Sequence, residues 1–170
     1  PDAAVLVATV RALKMHGGVP KDALSVENLP AVEAGFSNLE RHASNLRQVF
    51  GLPVVVAINR FPADTEAELL LVREKCEALG LPVALSEVWA KGGAGGIELA
   101  ELVAAQYGGD LRFCYDLDQP IEAKIEAIVR RVYGGSGIVM SPEAKKQAKK
   151  LTEMGFGGLP VCMAKTQYSF

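Results

Sequence analysis

Histidine is nearly absent from this chain. His16 and His42 are the two in 170 residues, too few for a histidine-built metal centre. Cysteine is scarce as well. Cys76, Cys114 and Cys162 are odd in number and widely spaced, so they form neither a zinc pattern nor a disulfide framework, and they point to a reducing, cytoplasmic setting. There is no excess of positive charge: a net charge of −2 argues against a broad footprint on a phosphate backbone, and no nucleic-acid partner is expected. No apolar run approaches the roughly 20 residues of a membrane helix. No basic-then-apolar leader opens the chain, so no membrane partner is expected either. Nowhere does a Gly-Lys-Ser/Thr triplet close a glycine-rich stretch, which excludes a Walker-type phosphate loop within these residues. A chain that opens at Pro1 inside a strand-like run is read as having lost its natural N-terminus.

What is present is a globular composition, 49% hydrophobic and 22% charged, of a length that suits one domain or one domain with part of another. Residues 3–10 form a nearly continuous apolar run, expected of a strand covered on both faces. Residues 19–30 are polar and turn-rich. Val32, Phe36, Leu39, Ala43 and Leu46 follow helical spacing over residues 31–50, Gly51 ends that helix, and residues 53–59 return to a β-branched strand. Thr65 and Glu68 have the spacing of a capping box, opening a helix over 66–79 that stops at Gly80. Residues 82–89 read as a third strand, 92–96 as a glycine-rich turn and 97–106 as a helix. Long connections between strands imply a parallel sheet. The expected class is therefore α/β, a mostly parallel sheet with flanking helices, Rossmann-like or P-loop-NTPase-like and partial. Beyond it, 115–120 reads as a loop and 121–133 as a helix with Ile125, Ile128 and Val129 on its apolar face. Residues 143–154 form a helix capped by Ser141 with Pro142 at its first position, and 159–164 a final strand. A domain seam is expected near 48–52.

Ligands of open α/β sheets sit outside the carboxyl ends of the strands. Arg11, Lys14 and His16, followed by the flexible pair Gly17-Gly18, come just after the first strand and form a candidate anion site. A surface loop with ordinary basic residues is the alternative. Phe61 lies just past the second strand and Trp89 at the end of the third, on the same rim of a parallel sheet. A flat ring between two aromatic faces needs about 7 Å, two contacts of roughly 3.5 Å, and side-chain reach permits that spacing between nearby strands. Two core plugs would give the same pattern. The string Asn59-Arg60-Phe61-Pro62 is similar to the base-reading motif of GTP-binding proteins, but Pro62 stands where guanine recognition requires a carboxylate. Asp64 and Thr65 fit helix-start chemistry instead. The glycines from Gly92 and Gly93 onward could present backbone N–H groups to an anion or simply turn the chain. Residues 165–167, after the last strand, read as a solvated strand end. Lys124 reads as part of an exposed helix face, His42 as a surface residue, and Cys162 and Met163 as core.

The string Val7-Ala-Thr-Val-Arg-Ala-Leu-Lys-Met-His-Gly-Gly18 resembles a signature segment of the formate–tetrahydrofolate ligases. Residues 53–61, Asp64-Thr65, 89–93, Tyr115-Asp116, 124–126 and 159–167 agree with it in order, so the resemblance spans the chain. It implies an ATP-dependent ligase that joins formate to tetrahydrofolate, giving 10-formyltetrahydrofolate, ADP and phosphate through formyl phosphate. It implies that the pterin stacks between Phe61 and Trp89, with Pro62 and Leu85 as apolar wall and Asn59, Gly92 and Gly93 lining the loops. Arg11, Lys14 and His16 become candidates for the phosphoryl-transfer chemistry. ATP with magnesium is expected to bind at a phosphate loop lying upstream of Pro1. Residues 1–48 would then belong to the nucleotide-binding domain and 49–170 to a folate-binding α/β domain truncated at its C-terminus. The isolated chain is expected to be inactive, and the resemblance implies a homo-oligomer such as a homotetramer. A non-catalytic α/β binding or assembly module, with both aromatics buried, is the alternative.

Overall fold

A computed structural model describes residues 1–163 of the chain. By contact the chain forms two units, Pro1–Leu111 and Arg112–Phe170. In the first, β1 (Ala4–Ala8), β2 (Val54–Asn59) and β3 (Val83–Ser86) form a parallel sheet in that order. Ala4 lies opposite Val54 and Ala8 opposite Ile58, while Val56 faces Val83 and Asn59 faces Ser86. The α/β class and the parallel sheet expected from the sequence are therefore observed. The expected seam near 48–52 falls in the first unit, between two strands paired in one sheet.

The core explains the order of elements. Val54, Val56 and Ile58 point to one face of β2 and pack with Val32, Phe36 and Leu39 of α2 (Leu29–Ser44) and Leu69, Val72 and Cys76 of α3 (Glu66–Ala78). Val55, Ala57 and Ala84 are buried on the other face, where α5 (Ile97–Ala104) lies against β2 and β3. Burial on both faces thus holds for β2. It fails for β1 among the described residues: Val5 and Val7 are 44% and 62% exposed, because the eight-residue α5 is applied to the other two strands.

The first strand is also shorter than its apolar run. The Thr9 hydroxyl accepts the N–H of Ala12 at 3.1 Å and starts α1 (Val10–His16), so Val10 becomes a buried helical residue. Gly17 and Gly18, expected to be flexible, are held by geometry. A Cβ on Gly17 would meet the Ala31 carbonyl oxygen at 2.0 Å, and Gly18 has φ +93°. Gly35, in the middle of α2, allows the same intimacy from the other helix, since its Cβ would sit 1.9 Å from the Leu13 carbonyl oxygen. A π-helical turn, Asn45–Val49, carries α2 to the Gly51 stop.

The third strand ends at Ser86, not Trp89. Residues after Glu87 turn into α4 (Val88–Lys91) and a 3-10 turn, Gly92–Gly96. Gly95 lets that turn fold back on Glu87, whose backbone would lie 2.5 Å from any Cβ there.

In the second unit, α6 (Ile121–Ile128) continues into a π-helical turn, and α7 (Pro142–Glu153) is capped by Ser141, whose hydroxyl accepts the Ala144 N–H at 3.1 Å. The final strand expected at 159–164 is absent over 159–163; Ala164 and residues 165–167 lie outside the described residues. Side chains hold this stretch in place of a strand ladder. Lys124 Nζ donates to the carbonyls of Gly157 and Leu159 at 2.7 and 3.0 Å. Tyr115 donates to the Val161 carbonyl and accepts its N–H. Lys124 is fully buried, contrary to the exposed helix face expected for it, and Cys162 and Met163 are exposed instead of core.

Candidate functional site

At the carboxyl rim of the first unit, the end of β2 becomes a short loop. The Arg60 N–H donates to the Ser86 carbonyl at 3.1 Å, which ties that loop to the end of β3. A tight turn follows: the Asp64 N–H donates to the Phe61 carbonyl at 3.0 Å, and Asp64 Oδ2 accepts the Phe61 N–H at 2.8 Å. Asp64 is buried, and its other oxygen has no hydrogen-bond partner. Burial pushes its carboxyl up from the ordinary value, against the opposing pull of the Phe61 N–H. The capping box then starts α3, with the Thr65 hydroxyl accepting the Glu68 N–H and Glu68 accepting the Thr65 N–H.

Trp89 stands on α4, 86% exposed, and Phe61 is 36% exposed, so neither ring plugs the core. Both line one cavity of about 300 Å³ with Asn59, Arg60 and Pro62. Arg60 also links the two sides of this site. Its guanidinium pairs with Glu66 at the start of α3 and lies 3.6 Å from Glu87, the residue before α4. Glu87 in turn pairs with Lys91. The Lys91 hydrogen bond holds the Glu87 carboxyl below the usual range, and the charges of Lys91 and Arg60 add to it.

The other sequence-selected residues fall in three places. Leu85 packs against the hydrophobic core and is not among the residues lining the aromatic cavity. Gly92 and Gly93 are exposed on the turn after α4 and do not line it either; Gly92 needs its φ of +60° to end that helix. The basic trio is divided along α1. Arg11 is exposed, and its charge reaches Asp64. Lys14 is fully buried, 2.9 Å from Glu68, with Nζ also donating to the Val26 carbonyl at 3.1 Å. His16 lines a separate cavity of about 360 Å³ with His42, Thr9 and Asn38, and its Nδ1 is buried without a partner. His42 is therefore a half-buried cavity residue instead of a surface one. Burial, then the charge of His16, pushes its imidazole down.

The sequence assigns no role to Arg60 or Glu87, reads Asp64 only as helix-start chemistry and reads Lys124 as part of an exposed helix face. Two had a signal. An Asp three residues after Phe61 is suited to accept that residue's backbone N–H, and Lys124 shares the helix face of Ile121 and Ile128. The pairing of Arg60 with Glu87 depends on where α4 turns, which nothing local specifies.

A family model for formate–tetrahydrofolate ligase matches residues 1–170, the whole chain. The chain belongs to the formate–tetrahydrofolate ligase family. A formate–tetrahydrofolate ligase is an enzyme of one-carbon folate metabolism, and membership implies small-molecule substrates with use of ATP and tetrahydrofolate. Among the described residues, no group of three or more His, Cys, Asp or Glu side chains is placed to hold a metal ion. Among the described residues, no helix is long and apolar enough to cross a membrane.

Proposed function

We propose that this chain supplies the tetrahydrofolate platform of an ATP-dependent ligase that forms 10-formyltetrahydrofolate from formate, with formyl phosphate as the acylating species. Formate itself is a poor acyl donor, because its carboxylate resists an amine; a phosphate leaving group removes that obstacle, and N10 of the folate then attacks the formyl carbon. The part played by this chain is positional. Phe61 and Trp89 take opposite faces of the pterin, and Pro62 and Asn59 close the floor and edge. Holding the ring fixed places N10 for attack, and orientation of this kind is a large share of the catalysis of acyl and phosphoryl transfer. Arg11, exposed on the first turn of α1, adds positive charge on this side of the sheet, and His16 shapes the floor of the neighbouring cavity. Lys14, already committed to Glu68, has no charge to spare for a phosphoryl group. The enzyme works in the cytoplasm as a homo-oligomer, with the phosphate loop and its magnesium site supplied by residues other than these.

One observation carries this reading: the single tryptophan of the chain, almost fully exposed, shares a cavity with Phe61. Tetrahydrofolate titrated into the chain should therefore quench Trp89 fluorescence in a saturable way. A linear, non-saturating loss of signal, as free folate gives by light absorption alone, would favour a non-catalytic binding or assembly module.

A further inference from the structure

The first of the chain's ordered matches contains a lysine, Lys14, whose ammonium never reaches the surface. It meets Glu68 at 2.9 Å with both side chains fully buried. Taking two charges out of water costs several kcal/mol for each ion, so such a pair persists only where the remaining donors and acceptors are also satisfied. Here they are. Lys14 Nζ donates to the Val26 carbonyl, Glu68 Oε1 accepts the Asn28 N–H at 2.9 Å, and Oε2 accepts the Thr65 N–H at 3.2 Å. Burial pushes the Glu68 carboxyl up, but the N–H of Asn28, the Lys14 ammonium and the N–H of Thr65 together hold it below the usual range.

The position of this pair gives it a second meaning. Glu68 sits in the first turn of α3 and fixes Thr65. The residue before Thr65 is Asp64, which accepts the Phe61 N–H and donates its own N–H to the Phe61 carbonyl. Three hydrogen bonds and one ion pair, joined by short lengths of chain, connect α1 to the backbone of Phe61, a residue that lines the cavity.

We propose that Lys14, Glu68 and Asp64 form a positioning post for Phe61, so that the lysine acts on the folate cavity through α3 and not on a phosphoryl group. The proposal rests on the folate reading above and assigns these three residues a task within it. Its physical basis is preorganisation: a ring already held in its stacking position loses less freedom when the ligand arrives. Asp64 is the hinge of the device, because a single carboxylate determines whether the Phe61 N–H is anchored or free.

The test uses the whole chain, tetrahydrofolate as probe and two readouts, Trp89 fluorescence and amide hydrogen exchange at Phe61, with Ile58 of the central strand as internal reference. Asp64→Ala should weaken tetrahydrofolate binding and speed Phe61 exchange each by about tenfold, as expected for loss of a hydrogen bond to a charged group, with Ile58 unchanged. Asp64→Asn keeps an acceptor and should restore both to within about threefold of the parent chain. The double variant Lys14→Met with Glu68→Gln removes both charges, leaves no unpaired ion and retains an acceptor for Asn28. It should show the same selective rise at Phe61. Unchanged Phe61 exchange and binding in Asp64→Ala would overturn the proposal. So would an equal rise at Ile58 and Phe61, since that is general destabilisation. Failure of the parent chain to bind tetrahydrofolate would instead overturn the folate reading, and the exchange data would still show whether Asp64 anchors Phe61.

Discussion

Burial pushes up two carboxyls four residues apart, Asp64 and Glu68, yet their net shifts have opposite signs. Glu68 is held below its ordinary value of 4.5, because the Asn28 N–H, Lys14 and the Thr65 N–H outweigh its desolvation. A carboxyl depressed in the folded state adds stability above its unfolded pKa and loses it as pH falls through the folded one. Asp64 is raised above its ordinary 3.8 by burial. Its contribution is present below 3.8 and is lost as pH rises through the folded value. Denaturant unfolding across a pH series should therefore show an acid-side fall below pH 4.5 that Glu68→Gln flattens. An identical fall in the parent chain and Glu68→Gln would contradict this assignment. At this scale the sequence was partly legible. Phe61 and Trp89 could be selected because each follows an apolar strand at a parallel-sheet rim. Lys14 and Lys124 could not be placed, since a lysine becomes a buried ion or a carbonyl clamp only when distant segments supply Glu68, Val26, Gly157 or Leu159.

Among the elements, those with local punctuation were readable to within a residue or two. α3 runs from Glu66 to Ala78 as its capping box and the following Gly80 require, and α7 starts at Pro142 behind Ser141. The Thr65 cap satisfies two backbone N–H groups through its exchange with Glu68, so Thr65→Ala should lower unfolding free energy by about 0.5–2 kcal/mol. Gly35→Ala should cost about 1–3 kcal/mol, as overpacking does, because the new methyl would meet the Leu13 carbonyl backbone. Thermal unfolding of both variants checks this; a Gly35→Ala midpoint equal to that of the parent would refute the close contact of α1 with α2. Elements whose limits depend on tertiary partners were misread. The apolar string 159–163 has strand composition, yet Lys124 and Tyr115 occupy its backbone groups and, among the described residues, no strand pairs with it. The third strand lost its last residues to α4 because Gly95 allows the turn to close onto Glu87.

For the whole molecule, topology was legible and function was legible only through resemblance. Apolar runs separated by helical connections fix a parallel α/β sheet on physical grounds, and β1-β2-β3 bears that out. Nothing in those runs specifies a folate; the ordered matches along the chain do, and the family model covers residues 1–170. Since these residues hold no phosphate cradle, the purified chain supplied with formate, ATP and tetrahydrofolate should release no 10-formyltetrahydrofolate. Product formed by preparations free of longer enzyme would contradict that expectation.

The most direct measurement is calorimetric titration of tetrahydrofolate into the parent chain, Phe61→Ala and Trp89→Ala. If the two rings flank one pterin, each substitution removes one stacking face and should weaken binding by about 1–3 kcal/mol, the range known for a base on an aromatic side chain. Binding by the parent chain that neither substitution alters would place the folate elsewhere and contradict the account at its centre.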